Sequence, residues 1–260
     1  MALLGQNCSV FLNGTGIIAQ SVSLSQSNNI LPLYGIGFRG INNTSISGPE
    51  SNKLSITYIP DSIESVNFNI ISGSKTNFTT SGININFAGL TGLYYLESLS
   101  FDLQPNSTVS ISTNYLNFDN ITGNFTGANY RPTGTLYRNY NGFSCYIPNS
   151  ARPILGLNYN YQVELEPIYK LGSKIPFNVL RNNGTEQINI IMDNWTGLDF
   201  YGTGVNQILP TPVLNMVNIS PISGSGLFTF DFSEAKINEI NTEVGVNDIA
   251  RTTYNLTNYF

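Results

Sequence analysis

Acidic side chains are the residues here best suited to chemistry, because their usual collaborators are missing. The 260 residues include no histidine. That removes Ser–His and Cys–His nucleophile pairs, the commonest general base and the commonest metal ligand. A carboxylate pair of the kind that cleaves glycosidic bonds remains in principle. Asp61 with Glu64, Glu164 with Glu166, and Asp231 with Glu234 are the closest in sequence. Such spacing also fits solvated or interface carboxylates, which is the commoner use. Trp195, the only tryptophan, could stack a sugar ring, yet a lone Trp more often belongs to a core or an interface.

Other motifs add little chemistry. Gly14-Thr-Gly16, Gly202-Thr-Gly204 and Gly224-Ser-Gly226 lack the Lys-Ser/Thr ending of a phosphate loop and do not open a helix. No segment follows the alternating-Asp calcium loop. Cys8 and Cys145, with no histidine, cannot build a standard zinc site, and free buried thiols are favoured over a disulfide. About a dozen Asn-x-Ser/Thr triplets, among them Asn77-Phe-Thr and Asn194-Trp-Thr, are expected by chance in so Asn-rich a chain. The expectation is a protein that is not an enzyme, with no catalytic, metal or cofactor-binding residues and no cofactor.

The elements that would carry any site are strands. Charged residues are 10% of the chain, against about a quarter in ordinary domains. Asn takes near one residue in seven. Turn formers and strand formers dominate, and good surface-helix residues are scarce. Apolar segments recur at Cys8 to Leu12, Ile17 to Leu24, Leu54 to Ile59, Val66 to Ile71, Ile83 to Phe87, Tyr94 to Leu103 and Val109 to Phe118, with turn clusters between them. This spacing predicts a sandwich or barrel. Alternation places Tyr95, Glu97, Leu99, Phe101 and Leu103 on one face, with a turn at Gln104 to Ser107 leading into the partner strand. One segment, Ser233 to Val244, predicts a helix: Ser233 caps it, Glu234 sits in its first turn, Ile237, Ile240 and Val244 fall at helical spacing, and Gly245 ends it.

A repeat organises the whole. LPLYGIG at Leu31 to Gly37 and EPIYKLG at Glu166 to Gly172 share one pattern. In that register Pro32 falls on Pro167, Tyr34 on Tyr169 and Gly37 on Gly172. Val22 to Gln26 falls on Leu157 to Tyr161, and Leu54 to Tyr58 matches Ile188 to Met192 after a one-residue shift. Each heptad reads as a structural corner, with proline closing or interrupting a strand and glycine permitting a positive φ. The fold class expected is all-β: tandem-duplicated β-sandwich or barrel units with one or two short helices at most. The first repeat spans 1–123, a linker or long connecting loop 124–141, and a second, degenerate repeat 142–260. Arg131, Arg138 and Arg152 lie among Tyr130, Tyr137 and Tyr140 near the join, a composition equally suited to a protein contact or an ordered loop.

Net charge is −5 with pI ≈ 4.6, which disfavours a grip on phosphates. No stretch approaches the length of a transmembrane span, so no membrane partner is expected. The opening MALLGQNCSVFLNG has no charged n-region, so synthesis in the cytosol without export is expected.

A chain that is all-β, Asn/Ser/Thr/Gly-rich, histidine-free and charge-poor resembles virion structural proteins of tailed bacteriophages. Val22-Ser-Leu-Ser-Gln through Pro32-Leu-Tyr-Gly-Ile-Gly, and Tyr161-Gln-Val-Glu-Leu-Glu-Pro-Ile-Tyr-Lys-Leu-Gly, are similar to early strands of tail-tube and related tail proteins. Gly89 to Asn106 is similar to a strand–turn unit of phage structural proteins. The resemblance covers at most a third of the chain. It implies a virion location, rings (trimeric or hexameric) stacked around a DNA passage with an acidic lumen, and contacts with neighbouring virion proteins in a tail tube, baseplate or neck. A head-decoration module, or a receptor- or glycan-binding module carried by Trp195 and the Tyr130 to Tyr146 region, is the alternative it leaves open.

Overall fold

The structure, a computed structural model, describes residues 9–27, 30–33, 43–46, 51–59, 66–75, 77–104, 107, 110–126, 143–146, 154–193, 217–221, 228–230, 236–244, 246 and 251–260. It is an all-β fold with one short helix among the described residues.

Strand β1 (Val10–Leu12) turns directly into β2 (Thr15–Ser27), with Leu12 opposite Thr15. The two-residue loop between them is Asn13-Gly14, with φ of 48° and 82°. Positive φ at both positions is what a type I′ hairpin turn demands, and Asn-Gly is the pair that adopts it most readily. β3 (Ile30–Leu33) and β4 (Asn43–Ile46) pair with each other, and β5 (Ser51–Ile59) returns along β2. Helix α1 (Val66–Ser74) follows. Then β6 (Ile83–Phe87) joins β7 (Leu90–Leu103) through Ala88-Gly89, a second turn with two positive φ values. β8 (Ile111–Asn117) and β9 (Thr122–Gly123) complete the first half.

The order β7-β6-β1-β2-β5-β8, with β8 paired back to β7, closes a six-stranded antiparallel barrel. Alternation supplies its interior: Leu54, Ile56 and Tyr58 from β5, Ile111 and Tyr115 from β8, Ile83 and Ile85 from β6, Val10 and Leu12 from β1. Each fully buried side chain of this size stabilises the fold by roughly 1.5–3 kcal/mol relative to exposure.

The sheet does not stop at the barrel. β7 is shared: β6 takes its first part and β11 (Ile154–Tyr169) pairs with its last six residues. Because β8 and β11 both pair with residues 98 to 101, they lie on opposite edges of β7. β12 (Pro176–Asp193), β16 (Arg251–Tyr259) and the outermost β15 (Lys236–Glu243) extend the sheet from β11. Strands from both sides of 124–141 therefore belong to one sheet. β10 (Phe143–Tyr146), β13 (Val217–Pro221) and β14 (Phe228–Phe230) form a separate three-stranded sheet.

Four expectations need correction. Val66 to Ile71, which alternates like a strand, is the start of α1. Asn67 is fully buried there, donating through Nδ2 to Tyr58 Oη (3.1 Å) and accepting at Oδ1 from Tyr115 Oη–H (2.9 Å). Ile71, four residues on, enters the barrel core. The helical period keeps both side chains over β5 and β8 and leaves Asn69 exposed, whereas an alternating strand would put residues 67, 69 and 71 on one face.

Conversely, Ser233 to Val244 does not form the expected helix from Lys236 onward, where its residues are described. Its described part is β15, paired with β16. Val244, expected on a buried helix face, is exposed. Pairing with the open edge of β16 outweighs a weak local helix signal.

The face of β7 is also different. Glu97 is an extra residue between the Leu96–Tyr115 and Ser98–Asn114 pairs. This bulge switches the alternation, so Tyr94 and Leu96 share the buried face with Leu99, Phe101 and Leu103.

Finally, Pro32 and Pro167 do not interrupt their strands, although β11 does close at Tyr169, two residues after Pro167. They lie within β3 and β11, opposite Thr44 and Val179. Pro167 falls where β11 has no partner on its β7 side among the described residues, an edge that tolerates a missing donor. Gly172 does take the positive φ expected of it, 83°, in the turn that follows; Tyr34 to Gly37 lie outside the described residues.

Candidate functional site

Two features beyond the core are built by the long β11–β12 hairpin. The first is its tip. β7 covers β11 only from Leu157 to Gln162, and β16 covers β12 only from Thr185 onward. Phe260 and the segment Phe78 to Thr80 continue that second edge through backbone hydrogen bonds to Gly184, Val179 and Arg181. Past these points the hairpin projects as a two-stranded arm. Its end exposes Leu171 (107%) and Phe177 (67%), together with Ile168 and Ile175. Lys170 Nζ lies 3.9 Å from the centre of the Phe177 ring. Glu164 and Glu166 flank the arm on its exposed face, and Glu166 accepts from Asn182 Nδ2 at 2.7 Å.

The second feature lies on the other face of the same hairpin. Val163 pairs with Gly184 but Glu164 pairs with Asn182, so Asn183 is an extra residue in β12. Without this bulge, Glu186 and Arg181 would point to opposite faces, being five residues apart. With it, Glu186, Gly184, Arg181 and Val179 are all buried on one side.

Glu186 is fully buried and well partnered. Its carboxylate accepts from Lys75 Nζ at 2.7 Å, Tyr159 Oη–H at 2.8 Å and, weakly, Asn258 Nδ2 at 3.4 Å. Lys75 follows the C-terminal end of α1, so this ion pair ties the helix to β12, as Asn67 ties it to β5 and β8. Burial, reinforced by the adjacent Glu186 charge, pushes the Tyr159 hydroxyl well above its ordinary range. Tyr159 also stacks on Phe101 of β7, and Tyr161 stacks on Phe260.

Arg181 is treated differently. Its Nη2–H donates to Thr80 Oγ1 at 2.6 Å. Nε and Nη1 have no partner among the described residues, although the side chain is only 9% exposed. Burial draws its pKa down, with Tyr161 acting in the opposite sense. Arg181 lines a cleft of about 350 Å³ between α1 (Asn69, Ile70, Gly73) and the segment that leads from α1 into β6 (Asn77, Thr79, Ser81).

Of the carboxylates singled out by sequence, only Glu164 and Glu166 fall among the described residues, and they sit on an exposed strand face. Asp61, Glu64, Asp231 and Glu234 lie outside them, as do Cys8, Trp195, Tyr130, Tyr137, Tyr140, Arg131, Arg138, Arg152 and the glycine pairs at 202–204 and 224–226. Of Cys145 only the strand position, in β10, is described. No cluster of metal-ligating side chains occurs among the described residues, and no described helix is long and apolar enough to cross a membrane. Sequence reasoning missed Arg181, Glu186 and Lys75. Asn-Asn-Gly at 182–184 was the one local hint of a bulge in that strand.

No protein-family model matches the chain, and no curated protein sequence matches it.

Proposed function

We propose that this chain is a structural protein of a bacteriophage virion, a tail component of tube-like type that self-associates into rings around the DNA passage. The observation that carries the reading is the projecting β11–β12 arm. An apolar tip exposing Leu171 and Phe177 in water is unfavourable for a lone monomer and favourable when a neighbour covers it. The β7-side edge of β11 beyond Gln162, unpaired among the described residues, adds backbone groups that a strand of a second copy could complete. An arm on one side of the molecule meeting a different surface of the next copy is a head-to-tail contact, which closes into a ring when the rotation permits. The scarcity of charge leaves little repulsion to oppose it. No catalytic residue is assigned; the work is mechanical. The phage setting rests on the sequence resemblance.

The test is the mass of the purified protein by light scattering, with negative-stain images of the same sample. Rings or tubes are expected, and the double substitution Leu171→Ser/Phe177→Ser should return the protein to monomer with an unchanged circular dichroism spectrum. A wild-type chain that stays monomeric at high concentration, or a variant that assembles as before, would overturn the reading.

A further inference from the structure

Arg181 poses a problem that the described residues do not solve. A guanidinium has five N–H donors and cannot shed its charge. The donor on Nε and the two on Nη1 have no acceptor among the described residues. A cation nine-tenths buried without a counter-charge is costly, and proteins retain one chiefly where something completes it. The partly buried Lys75 shows the ordinary solution, since it has Glu186 at 2.7 Å. No described residue lining the cleft at Arg181 is acidic.

The lining indicates what would complete the site. Asn69, Asn77, Thr79 and Ser81 present amides and hydroxyls, groups that both donate and accept. They suit a ligand carrying several hydroxyls. The volume, about 350 Å³, is near the lower end for ligand sites, which span roughly 300–1,000 Å³. A planar carboxylate matches the guanidinium fork. A phosphate dianion suits the site less well: there is a single cation, and Ile70 and Gly73 bring the C-terminal half of α1, the negative end of its dipole, to the cleft.

We propose that this cleft binds a small hydroxylated carboxylate, of the class of an acidic monosaccharide, with Arg181 holding the carboxylate and the Asn, Thr and Ser side chains holding hydroxyls. The site does not depend on how the chain assembles, and it lies on the opposite face of the hairpin from Glu164 and Glu166.

The experiment is titration of the full chain with D-glucuronate, glucose, acetate and inorganic phosphate, read by calorimetry or by amide chemical shifts. Glucuronate is expected to saturate. Glucose, lacking the charge, and acetate, lacking the hydroxyls, should each bind at least about tenfold more weakly, because a polar site rejects a ligand that leaves its groups unpaired. Arg181→Gln should lose glucuronate binding by about tenfold or more, and Arg181→Lys should recover only part of it, since an ammonium lacks the fork. Asn77→Ala, at an exposed position, is the second variant and should weaken glucuronate and leave acetate unchanged. Absence of saturable glucuronate binding, equal binding by Arg181→Gln, or tighter binding of phosphate than of glucuronate would each overturn the proposal.

Discussion

Replacing Lys75 by Met tests whether the Lys75–Glu186 pair fastens α1 to the extended sheet. Methionine keeps an apolar stem of similar length and removes only the charge. Glu186 has no exposed side-chain surface, whereas Lys75 retains 21% of its own. At an effective dielectric constant of about 20, attraction between charges about 4 Å apart is on the order of 4 kcal/mol. Breaking a buried pair by removing one partner costs about 3–5 kcal/mol, because the remaining charge is stranded. Water reaching the Lys75 side places Lys75→Met near the low end, about 3 kcal/mol. Glu186→Gln should cost less, about 1–2 kcal/mol, since the lysine can turn to water and Tyr159 Oη–H can still donate to the amide oxygen. The double variant Lys75→Met/Glu186→Gln strands no charge and should be about 2 kcal/mol more stable than the two single losses summed. Urea unfolding followed by far-UV circular dichroism measures all three, with midpoints shifting at constant slope. Additive losses, or a Lys75→Met midpoint equal to wild type, would refute the reasoning.

Two further outcomes follow from turn geometry and tyrosine burial. Gly14 and Gly89 both hold positive φ, but a Cβ at Gly14 meets nothing within 4 Å while one at Gly89 would collide with the Asn124 carbonyl oxygen. Gly14→Ala should therefore cost about 1 kcal/mol and Gly89→Ala at least about twice that, as thermal midpoints will show. Burial pushes the Tyr94 hydroxyl from 10.0 up to about 12. Above pH 10 the unfolded chain releases this proton and the folded one keeps it, so stability present below pH 10 is lost as the pH rises towards 12. Urea midpoints measured across that range should fall, and Tyr94→Phe should fall less steeply; equal slopes would discount Tyr94 as a contributor.

The sequence by itself determined the class of structure, because composition and period are local properties. Turn and strand formers set an all-β chain. Ile83 to Phe87 alternates and is β6, and Asn13-Gly14 takes the positive φ values that its residues permit. It also determined what chemistry is absent, since a chain without histidine cannot use one. Tertiary structure decided the rest, and mostly where a local signal was ambiguous. Val66 to Ile71 alternates, yet Asn67 and Ile71 also share a helical face, and only Tyr58, Tyr115 and the barrel core chose between them. Ser233 to Val244 carries a helical stripe, yet the open edge of β16 made its described part a strand.

Bulges had the largest consequence, because one extra residue exchanges the two faces of everything beyond it. Glu97 redirected β7, and Asn183 brought Arg181 to the buried side with Glu186. Within β7 nothing local shows where a partner will skip a residue, and within β12 Asn-Asn-Gly at 182–184 is no more than a hint. That is fixed by pairing across the sheet, and so the cleft at Arg181, assembled from α1, the segment after it and a strand a hundred residues later in the chain, exists only in the folded molecule.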